Sequence, residues 1–262
     1  MMPPNPYVRA LESLAPLALA ASWDNVGVIV EGDRPVRAAL LCIDLTEAVL
    51  AEAEQLDVDL IVAYHPPIFD GVRHLRRNSA LGRTLLRITR AGRHVYSPHT
   101  ALDAVPGGVN DWLVQALGPL ADVEPIEVAA TDPQAGAGRR AMLKDAVPWT
   151  LVAPQIAAHT GNTALQVAGH VDAVRSLAVC PGAGGSLLRK ELDVDLLLTG
   201  EMRHHDILAA VGRGQAVVLT HHTNCERGYL PQFAVALERV LPGLRVQVST
   251  QDRDPLQTWS AP

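Results

Sequence analysis

Two stretches of the chain read alike. "AALLCIDLTEAVLAEAEQLDVDLIVAYH" occupies 38–65, and "SLAVCPGAGGSLLRKELDVDLLLTGE" occupies 176–201. Each is a short, almost wholly apolar run, then an amphipathic run, then a second apolar run introduced by Asp-Val-Asp-Leu. Apolar runs of four to eight residues without alternation suit strands covered on both faces, and the amphipathic run between them suits a crossover helix. Each stretch ends in a residue able to ligate a metal, His65 in the first and Glu201 in the second. The pattern predicts an α/β fold: two pseudo-repeated α/β lobes with mostly parallel sheets.

The remaining chain extends this pattern. Strands are expected at 36–44, 58–64, 93–97, 175–180, 194–200 and 215–220, with a last strand in "LRVQVS". Helices are expected at 46–57, with Thr46 as N-cap, at 80–91 and 108–117, in "HHDILAAVG", and from the "HHTNCERGYL" stretch to about 240. From about 120 to 148 the sequence mixes Pro, Gly and charge with no sustained period. We read it as the junction between an N-terminal lobe, 1–125, and a C-terminal lobe, 126–262.

With 22 basic residues against 28 acidic ones, the formal net charge is −6. This argues against a nucleic-acid binder, which needs a basic surface to displace counterions. The densest basic cluster, "RHLRR" at 73–77, reads as a solvated loop near a helix start. The N-terminus lacks a basic stretch followed by an apolar one, and no apolar run approaches the roughly 18 residues of a membrane span. Cys42, Cys180 and Cys225 are odd in number and far apart, so they read as reduced thiols of a cytoplasmic protein.

In open α/β sheets, ligands bind beyond the carboxyl ends of strands. Past the expected strands stand His65; His99 and Asp103; Glu201, His204 and His205; and His221, His222 and Glu226. Six of the ten histidines fall in these four segments. A single His-x-x-x-Glu spacing says little. Four such segments at strand ends, mixing imidazole with carboxylate, point to a site for divalent transition ions (zinc, manganese or iron) between the lobes. A Glu226 in the first turn of a helix would share a face with His222 and meet the positive end of the helix dipole. His204 and His205 are alternatives as helix caps or as partners of ligands, and His221 is expected to point away from its neighbour. Cys225 reads as a small buried residue. Gly182, Gly184 and Gly185 in "CPGAGGS" fit an anion-binding nest and a plain helix start equally well. No H-E-x-x-H, G-x-S-x-G or strand-following G-x-G-x-x-G is present.

The ordered segments "SWDNVGVIVEG", "YHPPIF", "SPHTALDAVPGGVNDWL", "TGEMRHHDIL" and "HTNCERGYL" resemble the Ngg-interacting-factor-three-like proteins, also known as GTP cyclohydrolase type 2 homologues. The resemblance spans nearly the whole chain. It implies a dinuclear metal centre in a hexameric ring, with His65, Asp103, His222 and Glu226 as the metal ligands. The family pattern has His-His before Pro, whereas Tyr64 stands at the first position here. His99 is the first candidate to replace the missing imidazole; Tyr64, Glu201, His204 and His205 are further ligands or partners of ligands. The chain lacks the domain that some relatives insert between the lobes.

Two carboxylates do not neutralise two divalent ions, so such a site keeps positive charge and favours an anionic substrate oxygen. The expected activity is metal-dependent hydrolysis of a nucleotide-like or phosphate-bearing small molecule, with Glu226 as catalytic residue acting through water at the metal. The alternative is a non-catalytic metal-binding ring that stores or delivers ions or serves protein partners as a scaffold.

Overall fold

In the computed structural model, which describes residues 5–256 and 259, the apolar runs become strands, and Ala38–Cys42, Leu60–Ala63, His94–Ser97 and Leu196–Thr199 are buried at every position. The chain divides into two compact units, Met1–Leu102 with Leu230–Arg253, and Asp103–Tyr229 with Asp254–Pro262.

The first unit holds strands β1 (Gly27–Val30), β2 (Ala38–Cys42), β3 (Leu60–Ala63) and β4 (His94–Ser97), joined by the last strand of the chain, Arg245–Val248. Their order is β1-β4-β3-β2-last strand, and only the β1–β4 pairing is antiparallel. The crossover helix Glu47–Gln55 is capped as expected, Thr46 Oγ1 accepting from the Val49 amide at 3.3 Å. Its buried face, Val49, Leu50 and Ala53, packs on Leu40, Ile61, Ile88 and Val95.

The second unit holds β5 (Leu120–Glu124), β6 (Glu127–Ala129), β7 (Asp132–Ala137), β8 (Arg139–Pro148), β9 (Gln166–Ala168), β10 (Ala173–Cys180), β11 (Leu196–Thr199) and β12 (Ala216–Leu219). Six form a sheet in the order β5-β8-β10-β11-β12-β9, and β6 and β7 form a hairpin. The centre, β10-β11-β12, is parallel, and β5, β8 and β9 pair antiparallel around it. The fold is therefore α/β with parallel strands at the heart of both sheets.

The two Asp-Val-Asp-Leu runs do the same work in each unit. Asp59 Oδ2 accepts from the Arg37 and Ala38 amides at 2.9 and 3.1 Å. Asp195 Oδ2 accepts from the Arg175 and Ser176 amides at 2.8 and 2.9 Å. Each carboxylate thus ties the start of one parallel strand to its neighbour, at the start of β2 in the first unit and within β10 in the second.

Three expectations change. Residues 120–148 are not a junction but four strands, the longest of them, β8, pairing along β5 and β10. The units therefore divide at 102/103 rather than 125/126. The last helix and strand return to the first unit, because Arg245–Val248 pairs parallel with β2. The last helix starts at Leu230, and the preceding stretch forms two 3-10 turns, Thr223–Cys225 and Arg227–Tyr229. A Cβ on Gly228 would stand 2.5 Å from the Trp112 ring, so this turn packs too closely for the expected helix surface. Among the described residues no helix is long and apolar enough to cross a membrane.

Candidate functional site

His65 is placed by the strand ladder running past the end of β3: the Tyr64 and His65 amides donate to the Cys42 and Ile43 carbonyls at 2.8 and 3.0 Å. Its ring Nδ1 lies 2.9 Å from Asp44 Oδ1, a carboxylate just past β2. His99, just past β4, repeats the arrangement, with Nδ1 at 2.8 Å from Asp24 Oδ1. The rings of Tyr64, His65 and His99 lie 5.1 to 5.4 Å apart, centroid to centroid. Trp23 and Phe69, both largely exposed, stand edge-on to His99. His99 has φ +23°, a conformation L-residues rarely take, so its position is held by its surroundings.

Those surroundings centre on Asp24, whose side chain is fully buried. It also accepts from the Thr100 amide at 3.1 Å and the Thr100 hydroxyl at 2.5 Å. Burial works against its charge, yet the bonds from His99 and Thr100 and the nearby His99 ring hold its carboxyl below the usual range.

In the second unit, His222 and Glu226 sit on either side of a 3-10 turn rather than along one α-helix face. His222 Nε2 lies 3.9 Å from Glu226 Oε1, and its Nδ1 lies 3.3 Å from Glu201 Oε1. Glu226 is buried. The "CPGAGG" turn after β10 closes on them. A Cβ on Gly182 would stand 2.7 Å from Glu226 Oε1 and 3.0 Å from His222 Nε2, at φ +59°. The Gly182 amide donates to Cys225 Sγ at 3.1 Å, and that thiol contacts the His222 carbonyl at 3.1 Å. Burial, with Glu226 beside it, pushes the Cys225 thiol well above its ordinary range; burial and Asp103 do so for Cys180. Cys225 is buried, and Cys180 is half-buried at the end of β10. His221 has φ +66°, which turns the chain between the β12 end and His222. Asp103 is half-buried, with its carbonyl accepting from Asn110 Nδ2 at 3.0 Å. His204 and His205 are exposed and stack edge-on at the start of helix His204–Gly212.

Each unit thus gathers part of the expected set. In the first, His65, Tyr64 and His99 are in contact; in the second, Glu201, His222 and Glu226 are. The His222–Glu226 pair fits a divalent ion. Two atoms each about 2.1 Å from a shared zinc lie at most about 4.2 Å apart, and the His222–Glu226 separation of 3.9 Å falls inside that limit. His65, His222 and Glu226 offer two imidazole nitrogens and a carboxylate oxygen. Metal-ligating histidines characteristically pass their other ring nitrogen to a carboxylate, and His65, His99 and His222 each face one. Sequence reasoning missed Asp24 and Asp44. The strand-end rule would have found Asp44, and Asp24 lies in the "SWDN" segment.

A family model described as Duf34/NIF3 (NGG1p interacting factor 3) matches residues 3–255. The "Protein NIF3 homolog" of Schizosaccharomyces pombe is 38% identical over 269 residues, covering 95% of this chain and 96% of the relative. The "GTP cyclohydrolase 1 type 2 homolog" of Clostridium perfringens is 29% identical over 263 residues, covering 97% and 98%. Among solved structures, the Bacillus cereus protein related to NIF3 superposes with a TM-score of 0.85 at 20% identity, covering 99% of this chain and all of that one. At that identity the likeness speaks for the fold.

Proposed function

The chain belongs to the Duf34/NIF3 family, and from that premise we propose that it binds one or two divalent transition ions and uses them to hydrolyse a nucleotide-like or phosphate-bearing small molecule. The observation that supports this most is the repeated pairing of a histidine ring with a carboxylate: His65 with Asp44, His99 with Asp24, His222 with Glu201. The proposed ligands are His65, Asp103, His222 and Glu226, with His99 supplying the imidazole absent at Tyr64. With Nδ1 occupied by carboxylates, His65 and His99 would ligate through Nε2. A divalent ion supplies Lewis-acid polarisation and makes water a competent nucleophile near neutral pH. The chain's own part is to hold the ligands: Asp24 and Asp44 fix two imidazoles, and Gly182 lets Glu226 and His222 approach the turn. Glu226 is the proposed catalytic carboxylate. Zinc, manganese and iron all suit the mixed donor set.

A second reading, a metal-binding ring without turnover that serves protein partners, draws on the family description, which names an interacting factor. It also draws on the exposed Trp23, Phe69 and Leu75. Both readings place a hexamer in the cytoplasm, with a mass in solution six times the 28.0 kDa chain.

The test is metal content per chain, measured by mass spectrometry on protein purified without added metal, beside Glu226→Ala. Turnover of GTP and generic phosphodiesters follows on the same preparations. Metal retained by the wild type and lost in the variant, with turnover lost alongside, supports the hydrolase. Metal without turnover on a wide panel supports the second reading. No metal even after reloading overturns both.

A further inference from the structure

The turns after β10 and β11, two adjacent parallel strands, enclose a cleft of about 510 Å³ in the second unit. Ser186 and Arg189 line it from the short helix that follows the first turn, Glu201, Met202 and Arg203 from the second turn, and Asp206 from the start of helix His204–Gly212. Its place at strand carboxyl ends is where open α/β sheets bind ligands, and its volume suits a ligand of mononucleotide size. Neither the Arg189 nor the Arg203 guanidinium has a hydrogen bond or ion pair among the described residues, although two carboxylates share the wall. One of these, Glu201, is directed to His222, with Oε1 3.3 Å from Nδ1. The cleft therefore opens beside the His222–Glu226 pair.

We propose that this cleft is the substrate subsite, in which Arg189 and Arg203 hold a phosphate group while Asp206 accepts from a hydroxyl or amino group of the same molecule. The inference rests on the hydrolase reading for its role but not for its chemistry. Paired guanidiniums match phosphate geometry through bidentate hydrogen bonds. A neighbouring carboxylate disfavours a bare anion and favours a ligand that also carries donors. The ligand class is thus a small phosphorylated molecule with a polar body, seated with its phosphate end toward the arginines and next to the proposed ligands.

Isothermal titration of the metal-loaded full chain with GMP, pyrophosphate and guanosine tests this. Wild type is compared with Arg189→Ala, Arg203→Ala and Arg203→Lys, and metal content is measured on every preparation. GMP is expected to bind at least about tenfold more tightly than guanosine and than pyrophosphate, the loss of a charged hydrogen-bonded contact being worth about that factor. Each alanine variant should weaken GMP about tenfold or more with metal content unchanged, and Arg203→Lys should keep part of the affinity. Equal GMP affinity in the variants, guanosine binding as tightly as GMP, or no probe binding at millimolar concentration would each overturn the proposal. Glu226→Ala separates the two claims. If it keeps its metal, the ligand assignment fails, and the arginine dependence of GMP binding is still read independently.

Discussion

At position 182 only glycine meets two demands together: a left-handed backbone at φ +59°, and contact with Glu226 and His222 closer than a Cβ permits. Gly182→Ala should therefore act on the metal and on the fold at once. We expect metal content below wild type, with strain of about 1–3 kcal/mol. At roughly 2–4 °C per kcal/mol, that lowers Tm by several degrees in a calorimetric scan. A variant that keeps full metal would show that His222 and Glu226 move aside freely. Asp24 gives a pH prediction. Its carboxyl is held below the ordinary range, so the stability it contributes is complete above the unfolded carboxyl value near ~3.9. That contribution is lost as pH falls through the lowered folded value. Asp24→Asn should cost about 1–2 kcal/mol at pH 7 and flatten the acid limb of a urea-stability profile as pH falls from about 5 to about 2. A variant with an unchanged acid limb would remove Asp24 as its source. Residues of this scale were partly legible. His65, His222 and Glu226 stand at strand ends, where the ordering of the chain announces them. Asp24 does not, because it reaches His99 across 75 positions of sequence and no local pattern marks such a partner.

Among the elements, the Asp-Val-Asp-Leu repeat was legible as a strand signal, and the structure adds its physical reason. The second Asp of each run satisfies two backbone amides of the neighbouring strand or its lead-in. Asp195→Ala leaves those of Arg175 and Ser176 without that acceptor, in a place where Ser176 is buried. The expected cost is about 1–3 kcal/mol, read as a shift in urea midpoint without a change in slope. Asp195→Asn, which keeps an acceptor oxygen, should recover most of it; equal loss in both variants would mean the charge rather than the acceptor matters. The strands from 120 to 148 were illegible for a related reason. The burial of β8 alternates for only part of its length, and its first fully buried side chain is not apolar but Arg139. Arg139 is sustained by Asp111 at 2.5 Å and by the Gly136 and Gly138 carbonyls at 2.8 Å. A strand that buries a paired arginine and exposes Met142 carries no clean period-two signal.

On the scale of the whole molecule, the chain leaves the first unit at 102/103 and returns to it at 229/230. Sequence order alone assigned the last helix and strand to the second lobe, since nothing local distinguishes a strand that pairs with β2 from one that pairs with β12. The α/β class was legible because both units reuse the same strand–helix–strand grammar; strand order was not, because it is settled by long-range pairing. The proposed ligands are dealt out along this route: His65 and His99 before the first crossing, Asp103 at it, and His222 and Glu226 just before the second. A metal bound by groups so far apart in sequence has no comparable site in the unfolded chain, so binding must stabilise the folded one. At free metal about 100 times Kd the gain is about 2.7 kcal/mol, which corresponds to roughly 5–10 °C in Tm. Stripping the protein with EDTA should lower Tm by that amount and readdition of zinc or manganese should restore it, whereas Glu226→Ala should melt alike with and without chelator. His99→Ala decides the remaining point. If His99 stands in for the imidazole missing at Tyr64, this variant loses bound metal and part of the thermal shift while His222 and Glu226 keep the rest. Full stoichiometry in His99→Ala would instead leave His99 as a packed partner of Asp24 and assign the metal to the other four groups.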